Sequence, residues 1–221
     1  FIIYIMSVSI VIPTYNRKRF ETLLEYNINS QDYYNIKEII ILDDSDKDRP
    51  LCIRSLIPIS YYTVPRMTIG MKRNCGVKLA QGEYIAFMDD DDFYSPKYIS
   101  HSIFQMIYEN KSIAGSADMN MYCKGEWFKQ RCMFLHLLNE ATMVFKKSVW
   151  SEFGDTNSNE AVPFLEKNLD KIIETNIDNI MCCIAHDHNT ISKKAWCVST
   201  YNSTPLSQYS KHINILSSLN I

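Results

Sequence analysis

Glycine is scarce in this chain, at six residues in 221. That scarcity excludes the loops that cradle phosphate with backbone alone. No GxxxxGK[ST] stretch and no GxGxxG stretch occurs, so neither a P-loop nor the dinucleotide fingerprint is available. An anionic ligand here has to be held by side chains or by a cation. A basic excess is missing too. Lys and Arg number 23 against 25 acids, a formal charge of −2. That argues against nucleic acid as a partner, since binding it needs a basic footprint. The seven cysteines include no CxxC pair, and the histidines and cysteines lack zinc-ligand spacing. The cysteines read as free thiols, mostly core filler, in a reducing compartment. The apolar start, FIIYIMSVSIVIP, is shorter than the roughly 20 residues of a membrane span. It has no basic n-region, and Met6 is a candidate start. No other segment is apolar for long enough, so the chain reads as soluble, cytoplasmic or at a cytosolic membrane face, with no membrane span. Its length suits one domain with a sizeable core.

What is present is an alternation of two periods. SVSIVIP (7–13) is a short β-branched run, as in a buried strand. After the loop TYNR, Phe20, Leu23, Leu24 and Ile28 recur at helical spacing. EIIILDD (38–44) is a second strand, Pro50 opens a short helix, and ISYYTV (59–64) is a third strand. Met71, Cys75 and Leu79 mark one face of a helix that stops at Gly82. YIAFM (84–88) is the fourth strand. Ser95-Pro96 starts a helix with Ile99, Ile103, Met106 and Ile107 on its apolar stripe. Further on, ATMVFKK (141–147) and IMCCIA (180–185) read as strands. Val162, Leu165, Leu169, Ile172 and Ile173 read as a helix. The βαβαβαβ order predicts an α/β fold with a mainly parallel sheet. Ligands of such sheets bind beyond the carboxyl ends of the strands. Pro13-Thr14-Tyr15, Asp43-Asp44 and Asp89–Asp92 all fall at such ends.

The stretch YIAFMDDDDFYSP places four aspartates directly behind an apolar strand. Adjacent like charges repel, and a divalent cation relieves that repulsion. A Ca²⁺ loop needs spaced ligands, a central glycine and a distal glutamate, and Phe93 and Tyr94 stand where those would begin. Mg²⁺ and Mn²⁺ take hard oxygen ligands, and Mg²⁺ usually keeps one or two protein carboxylates plus substrate phosphates. The cluster therefore predicts a phosphate-bearing substrate.

SIVIPTYNR, EIIILDDSD, GMKRNCGVKLAQGEYIAFMDDDD and a later acid ahead of a helix resemble the family 2 glycosyltransferases of the GT-A fold. The likeness covers residues 7–110 well and 140–195 loosely. It implies an α/β/α sandwich with a Rossmann-like nucleotide-binding half. The chain would then be a single domain, 1–221. About 7–110 would bind the nucleotide sugar and about 111–197 would face the acceptor, with 198–221 as a tail. The implied reaction is an inverting, metal-dependent transfer of one sugar. The donor would be a nucleotide-diphosphate sugar, UDP-sugar foremost, and the acceptor a hydroxyl of a glycan, lipid or protein. A QxxRW motif is absent, which implies non-processive transfer.

The resemblance also assigns roles. Pro13, Thr14, Tyr15 and Arg17 would touch the nucleotide, and Asp44 or Asp43 the base. The usual Asp-Asp-Gly-Ser is Asp-Asp-Ser-Asp here. Lys72, Arg73 and Asn74 belong to the nucleotide-binding helix start; the alternative for the two cations is an exposed helix surface. Asp89 and Asp90 would reach the ribose or sugar. Asp91 would be the main ligand of Mn²⁺ or Mg²⁺, helped by Asp89 and by His186, with His188 as alternative. Asp92 would lie behind the metal or be solvated. The general base would be Glu160, with Asp155 as alternative, although the paired acids usual in the family are absent. Trp127, Phe128 and Trp150 are either sugar platforms or core. Two other functions compete. One is a binding module that kept the fold without catalysis. The other is a sugar nucleotidyltransferase, which would need a glycine-rich loop where this chain has PTYNRKRF.

Overall fold

The computed structural model describes residues 6–46, 50–123, 125–131, 138–190, 193 and 204–205. The first five residues, and all of the predicted tail except Thr204–Pro205, lie outside that set. In chain order the elements begin with β1 (Val8–Thr14), α1 (Glu21–Asn29), β2 (Ile36–Asp43), β3 (Ile59–Thr63), α2 (Ile69–Leu79), β4 (Tyr84–Phe87), β5 (Phe93–Tyr94) and α3 (Tyr98–Tyr108). They continue with β6 (Ile113–Gly115), β7 (Asp118–Cys123), β8 (Glu126–Arg131), β9 (Val144–Lys146), α4 (Val162–Glu166), β10 (Ile172–Glu174), β11 (Met181–Ile184) and β12 (Thr204–Pro205).

The main sheet has seven strands in the order β10-β6-β9-β4-β1-β2-β3. The four strands from β4 to β3 are mutually parallel. β9 is antiparallel to both of its neighbours, and β10 is parallel to β6. Every residue of β1 and β4 is buried, because helices cover both faces and the runs stay apolar without alternation. On one face Ile10, Ile12, Ile39 and Ile41 pack with Leu24 and Ile28 of α1 and Ile99 and Ile103 of α3. On the other, Val11, Ile40 and Leu42 pack with Val77 of α2 and Phe164 and Leu165 of α4. This is a mixed α/β fold with a largely parallel central sheet, layered as α/β/α. A second sheet, β12-β8-β7-β11-β5, stands beside it. Its β7–β8 hairpin turns at Gly125, whose φ of 86° suits glycine.

Several local expectations change. The segment after Pro50 forms no helix. Glu21 and Glu25 of α1 accept its Cys52 and Arg54 N–H groups at 2.6 and 2.7 Å, which holds it extended along α1. α2 ends at Leu79, not Gly82. Gly82 serves close approach instead, since a Cβ there would come within 2.5 Å of the Ser9 nitrogen. α2 also turns the face read as apolar outward. Met71 and Leu79 are exposed, whereas Lys72, Arg73 and Asn74 are buried. The long helix expected after Val162 is only five residues. Ile172 and Ile173 belong to β10, where pairing with Ile113 and Ala114 outweighs helical spacing. Cys52, Cys75, Cys182 and Cys183 are free thiols, but Cys123 is in a disulfide, contrary to the reading of all cysteines as free. β6, β7 and β8 were not foreseen. Trp127 packs on Tyr122 at 4.6 Å, Phe128 is buried, and Trp150 packs in the core with Phe153. None of these three lines the cleft described next.

Candidate functional site

Because β1, β2 and β4 are parallel, Thr14, Asp43-Asp44 and Asp89 emerge on one rim. A cleft of about 560 Å³ opens there. It is lined by Pro13, Thr14, Tyr15, Arg17, Lys72, Arg73, Asp89, Asp90, Asp91 and Glu160 among the residues singled out from sequence. The β1 loop turns back through Asn16, held at φ 54° with its N–H donating to Ser45 Oγ at 2.7 Å. Asparagine tolerates that left-handed conformation better than most residues.

The four aspartates have separate surroundings. They form the corner where the chain leaves β4 of the main sheet and enters β5 of the second. Asp92 is not solvated. It is 5 % exposed, its Oδ1 accepts from Ile184 N–H at 2.9 Å, and its carbonyl accepts from Asn27 at 2.7 Å. Asp92 therefore ties β5 and β11 to α1. Asp91 Oδ2 faces His186 Nε2 at 3.1 Å and Arg17 at 3.2 Å. Burial pushes the Asp91 carboxyl up, but His186 and Arg17 outweigh it and hold the group below its usual range. Asp90 goes the other way. Burial, then the charge of Asp91, raises it well above the usual value, despite Arg17 at 3.4 Å. His186 is fixed from behind by the His188 N–H, which donates to Nδ1 at 3.1 Å, and by Phe20 at 4.6 Å between ring centroids.

Asp89 turns away from that corner. Its Oδ1 accepts from Arg73 at 2.8 Å, and the other terminal nitrogen of Arg73 pairs with Glu160. Arg73 lies 4.8 Å over the Phe87 ring. Burial works against its charge, and Asp89 and Glu160 more than compensate. α2 and the loop before α4 meet closely enough for this. Gly70 N–H donates to Thr156 at 3.0 Å, and a Cβ on Gly70 would sit 1.9 Å from the Gly154 carbonyl oxygen. Asn74 does not line the cleft. Its amide donates to the Phe153 carbonyl and accepts from the Phe153 N–H, bracing the same junction. Asp155 is exposed, outside the cleft, and accepts from the Thr68 hydroxyl at 2.7 Å.

Lys72 and Arg73 are both about 3 % exposed, so neither is a surface helix cation. Lys72 Nζ donates to Asp44 at 2.6 Å and to the Thr14 carbonyl at 2.9 Å. Burial lowers its pKa against the pull of Asp44. Asp44 also accepts from Arg66 and from Met67 N–H, which together with Lys72 overcome its burial and keep it ionised. Arg66 lies 3.6 Å over the Tyr15 ring. Asp43 accepts from Ser45 and Tyr61 and borders a smaller pocket of about 200 Å³ with Thr14, Arg17 and Leu51.

The corner at Asp90 and Asp91 fits a divalent cation. Its donors are hard carboxylate oxygens and one imidazole, and among the described residues the buried Asp90 Oδ2 has no hydrogen-bond partner. Arg17 and His186 contact the charge there, and Lys193 acts on it electrostatically. Among the described residues no three His, Cys, Asp or Glu converge on one point. A cation here would take Asp91 and His186, with phosphate oxygens completing its shell.

Among the cleft residues that carried no sequence signal as site residues, two are charged. Lys193 lines it and acts electrostatically on Asp91. Glu140 lines it beside Glu160 and Arg73. Burial, then the charge of Glu160, raises the Glu140 carboxyl to about 7.

A largely parallel α/β sheet whose carboxyl-end rim gathers paired carboxylates and cations defines a class of fold that binds its ligands at that rim. The family model of Glycosyl transferase family 2 matches residues 9–163, and the chain belongs to that family. It is 32% identical over 136 residues to an uncharacterized glycosyltransferase of Rickettsia prowazekii, covering 61% of this chain and 41% of that protein. It is 39% identical over 100 residues to the UDP-Glc:alpha-D-GlcNAc-diphosphoundecaprenol beta-1,3-glucosyltransferase WfaP of Escherichia coli, covering 43% and 39%. The chain thus spans less than half the length of these relatives. Its fold is similar to that of S. aureus TarS 1–349 in complex with UDP-GlcNAc, with a TM-score of 0.64 and 17% identity over 83% of this chain and 60% of that one. It is also similar to the mannosyltransferase PcManGT of Pyrobaculum calidifontis in complex with GDP-Man and Mn²⁺, with a TM-score of 0.61 and 14% identity over 86% and 59%.

Proposed function

We propose that the chain transfers one sugar, with inversion, from a nucleotide-diphosphate sugar to an acceptor hydroxyl. The observation that carries this is the split of the aspartates. Asp91 is held ionised beside His186 and Arg17, while Asp89 is drawn onto Arg73, within one cleft. Asp91 and His186 would hold Mn²⁺ or Mg²⁺, which would supply positive charge against the donor's diphosphate. Arg17 and Lys193 supply further positive charge on that side. Asp43, on the smaller pocket, and Tyr15 receive the base, and Asp90 and Asp89 order the sugar. UDP is favoured because WfaP and the TarS complex carry uridine nucleotides in their names. Residues 7–110 serve the donor and 111–197 the acceptor, within one domain. No helix among the described residues is long and apolar enough to cross a membrane.

The experiment is a screen of UDP-, GDP- and dTDP-sugars for Mn²⁺-dependent thermal stabilisation and for donor hydrolysis. Stabilisation that needs both metal and nucleotide, with slow release of the nucleoside diphosphate, is expected. No metal-dependent binding of any nucleotide would refute the reading. Binding without hydrolysis would favour a non-catalytic module instead, a reading that has the capture of Glu160 by Arg73 on its side.

A further inference from the structure

We propose that Glu140 is the carboxylate that takes the proton of the attacking hydroxyl. The proposal rests on the sugar-transfer reading and names the residue for one of its steps. Two glutamates line the cleft, Glu140 and Glu160. Glu160 is 3 % exposed and ion-paired with Arg73. Its Oε1 is taken up by the guanidinium instead of being offered to an acceptor hydroxyl. Its geometry suits holding Arg73, and through Arg73 the Asp89 carboxylate.

Glu140 differs in each respect. It is partly exposed, and among the described residues no cation is ion-paired with it. Its Oε1 receives a long contact, 3.5 Å, from the Ala161 N–H, and its carboxyl is also met by its own backbone N–H. It opens a single 3₁₀ turn capped by Asn139, whose Oδ1 accepts from Ala141 N–H at 3.1 Å. That turn is latched to the end of β4. The Tyr94 hydroxyl accepts from Asp89 N–H at 2.8 Å and donates to the Ala141 carbonyl at 2.9 Å. One hydroxyl thus fixes the turn that Glu140 opens, through the Ala141 carbonyl, beside the strand end that carries the aspartates. The charged groups facing Glu140 are Glu160 and Arg73, with Asp89 on the same guanidinium. Burial and Glu160 make ionisation harder, and Arg73 opposes them. The balance leaves a carboxylate that accepts a proton near neutral pH, where a general base works best.

The step balances. The acceptor oxygen bonds to the anomeric carbon as the bond from that carbon to the diphosphate oxygen breaks. The nucleoside diphosphate leaves with the electron pair, and the hydroxyl proton passes to Glu140 and then to solvent.

The test uses the donor found in the screen, with Mn²⁺ and with water as acceptor. Wild-type hydrolysis should rise through about pH 7 and level off. Glu140→Gln should be slower by about 10²-fold or more and lose that pH limb, while its affinity for the nucleoside diphosphate with Mn²⁺ stays within about twofold. Glu140→Ala should regain rate with added formate. Glu160→Gln should keep the pH limb. A ¹³C-carboxyl signal titrating near pH 7 in the wild type should vanish in Glu140→Gln. If Glu140→Gln keeps its rate and pH limb, or no glutamate titrates near 7, the proposal is overturned and sugar transfer stands. A wild type that hydrolyses no nucleotide sugar would remove both.

Discussion

Arg73 and Glu160 form a buried ion pair across 87 positions of sequence, joining α2 to the loop ahead of α4. The same guanidinium carries Asp89 from the end of β4. The first half of the chain, which builds the parallel strands, is thereby fastened to the second half by one cation at the cleft wall.

Arg73→Ala leaves two carboxylates without their cation, one of them fully inside. Breaking such a pair from one side typically destabilises by about 3–5 kcal/mol. Urea denaturation should place Arg73→Ala in that range. Arg73→Lys should lose less but still fall short of wild type, because an ammonium cannot span both acids with fixed geometry. A stability of Arg73→Ala within about 1 kcal/mol of wild type would mean that the pair is not holding the two halves.

The alternation of strands and helices up to residue 108 was legible because the β-branched runs are short and bounded by polar turns. The rim was legible because the acids stand at strand ends. What the sequence could not reveal is the inner face of α2. Lys72, Arg73 and Asn74 are buried there because Asp44, Asp89, Glu160 and the Phe153 backbone come to meet them. Those partners lie 16 to 87 positions away, and a hydrophobic period registers none of them. Glu140 was silent for a related reason. Asn139-Glu140 ahead of an apolar run is a helix-start signal, and the Tyr94 bond to the Ala141 carbonyl that seats this turn comes from 47 positions away. Helical spacing overstates the five-residue α4 because Leu169, Ile172 and Ile173 keep that spacing while serving a turn and a strand edge.

Asp91→Ala removes the carboxylate facing His186 and Arg17. Thermal stabilisation by Mn²⁺ with nucleoside diphosphate should disappear, while the fold persists. His186→Ala should weaken the metal-dependent affinity by about 10- to 100-fold. An unchanged melting shift in Asp91→Ala would move the metal away from this corner.

Gly70→Ala places a methyl 1.9 Å from the Gly154 carbonyl oxygen, a backbone atom that cannot swing aside. α2 and the loop carrying Glu160 must separate, at a cost of about 1–3 kcal/mol by analogy with overpacked cores. A lowered melting temperature together with weaker donor turnover is expected. Turnover that survives the loss of stability would separate this junction from the site.

The pH dependence of stability gives Glu140 a signature that needs no substrate. Its carboxyl is raised from an ordinary 4.5 to about 7 in the folded chain. The folded state therefore holds a proton that the unfolded state has already lost between those values. Below about pH 4.5 both states are protonated and Glu140 exerts no penalty. As pH rises toward 7 the unfolded chain gains stability relative to the folded one, and above 7 the penalty is complete. Glu140→Gln removes it. The variant should match wild type in denaturant midpoint near pH 4, then become more stable as pH rises, by on the order of 3 kcal/mol at pH 8. A difference that does not change between pH 4 and pH 8 would mean that Glu140 ionises at its ordinary value, and that neither burial nor Glu160 tunes it.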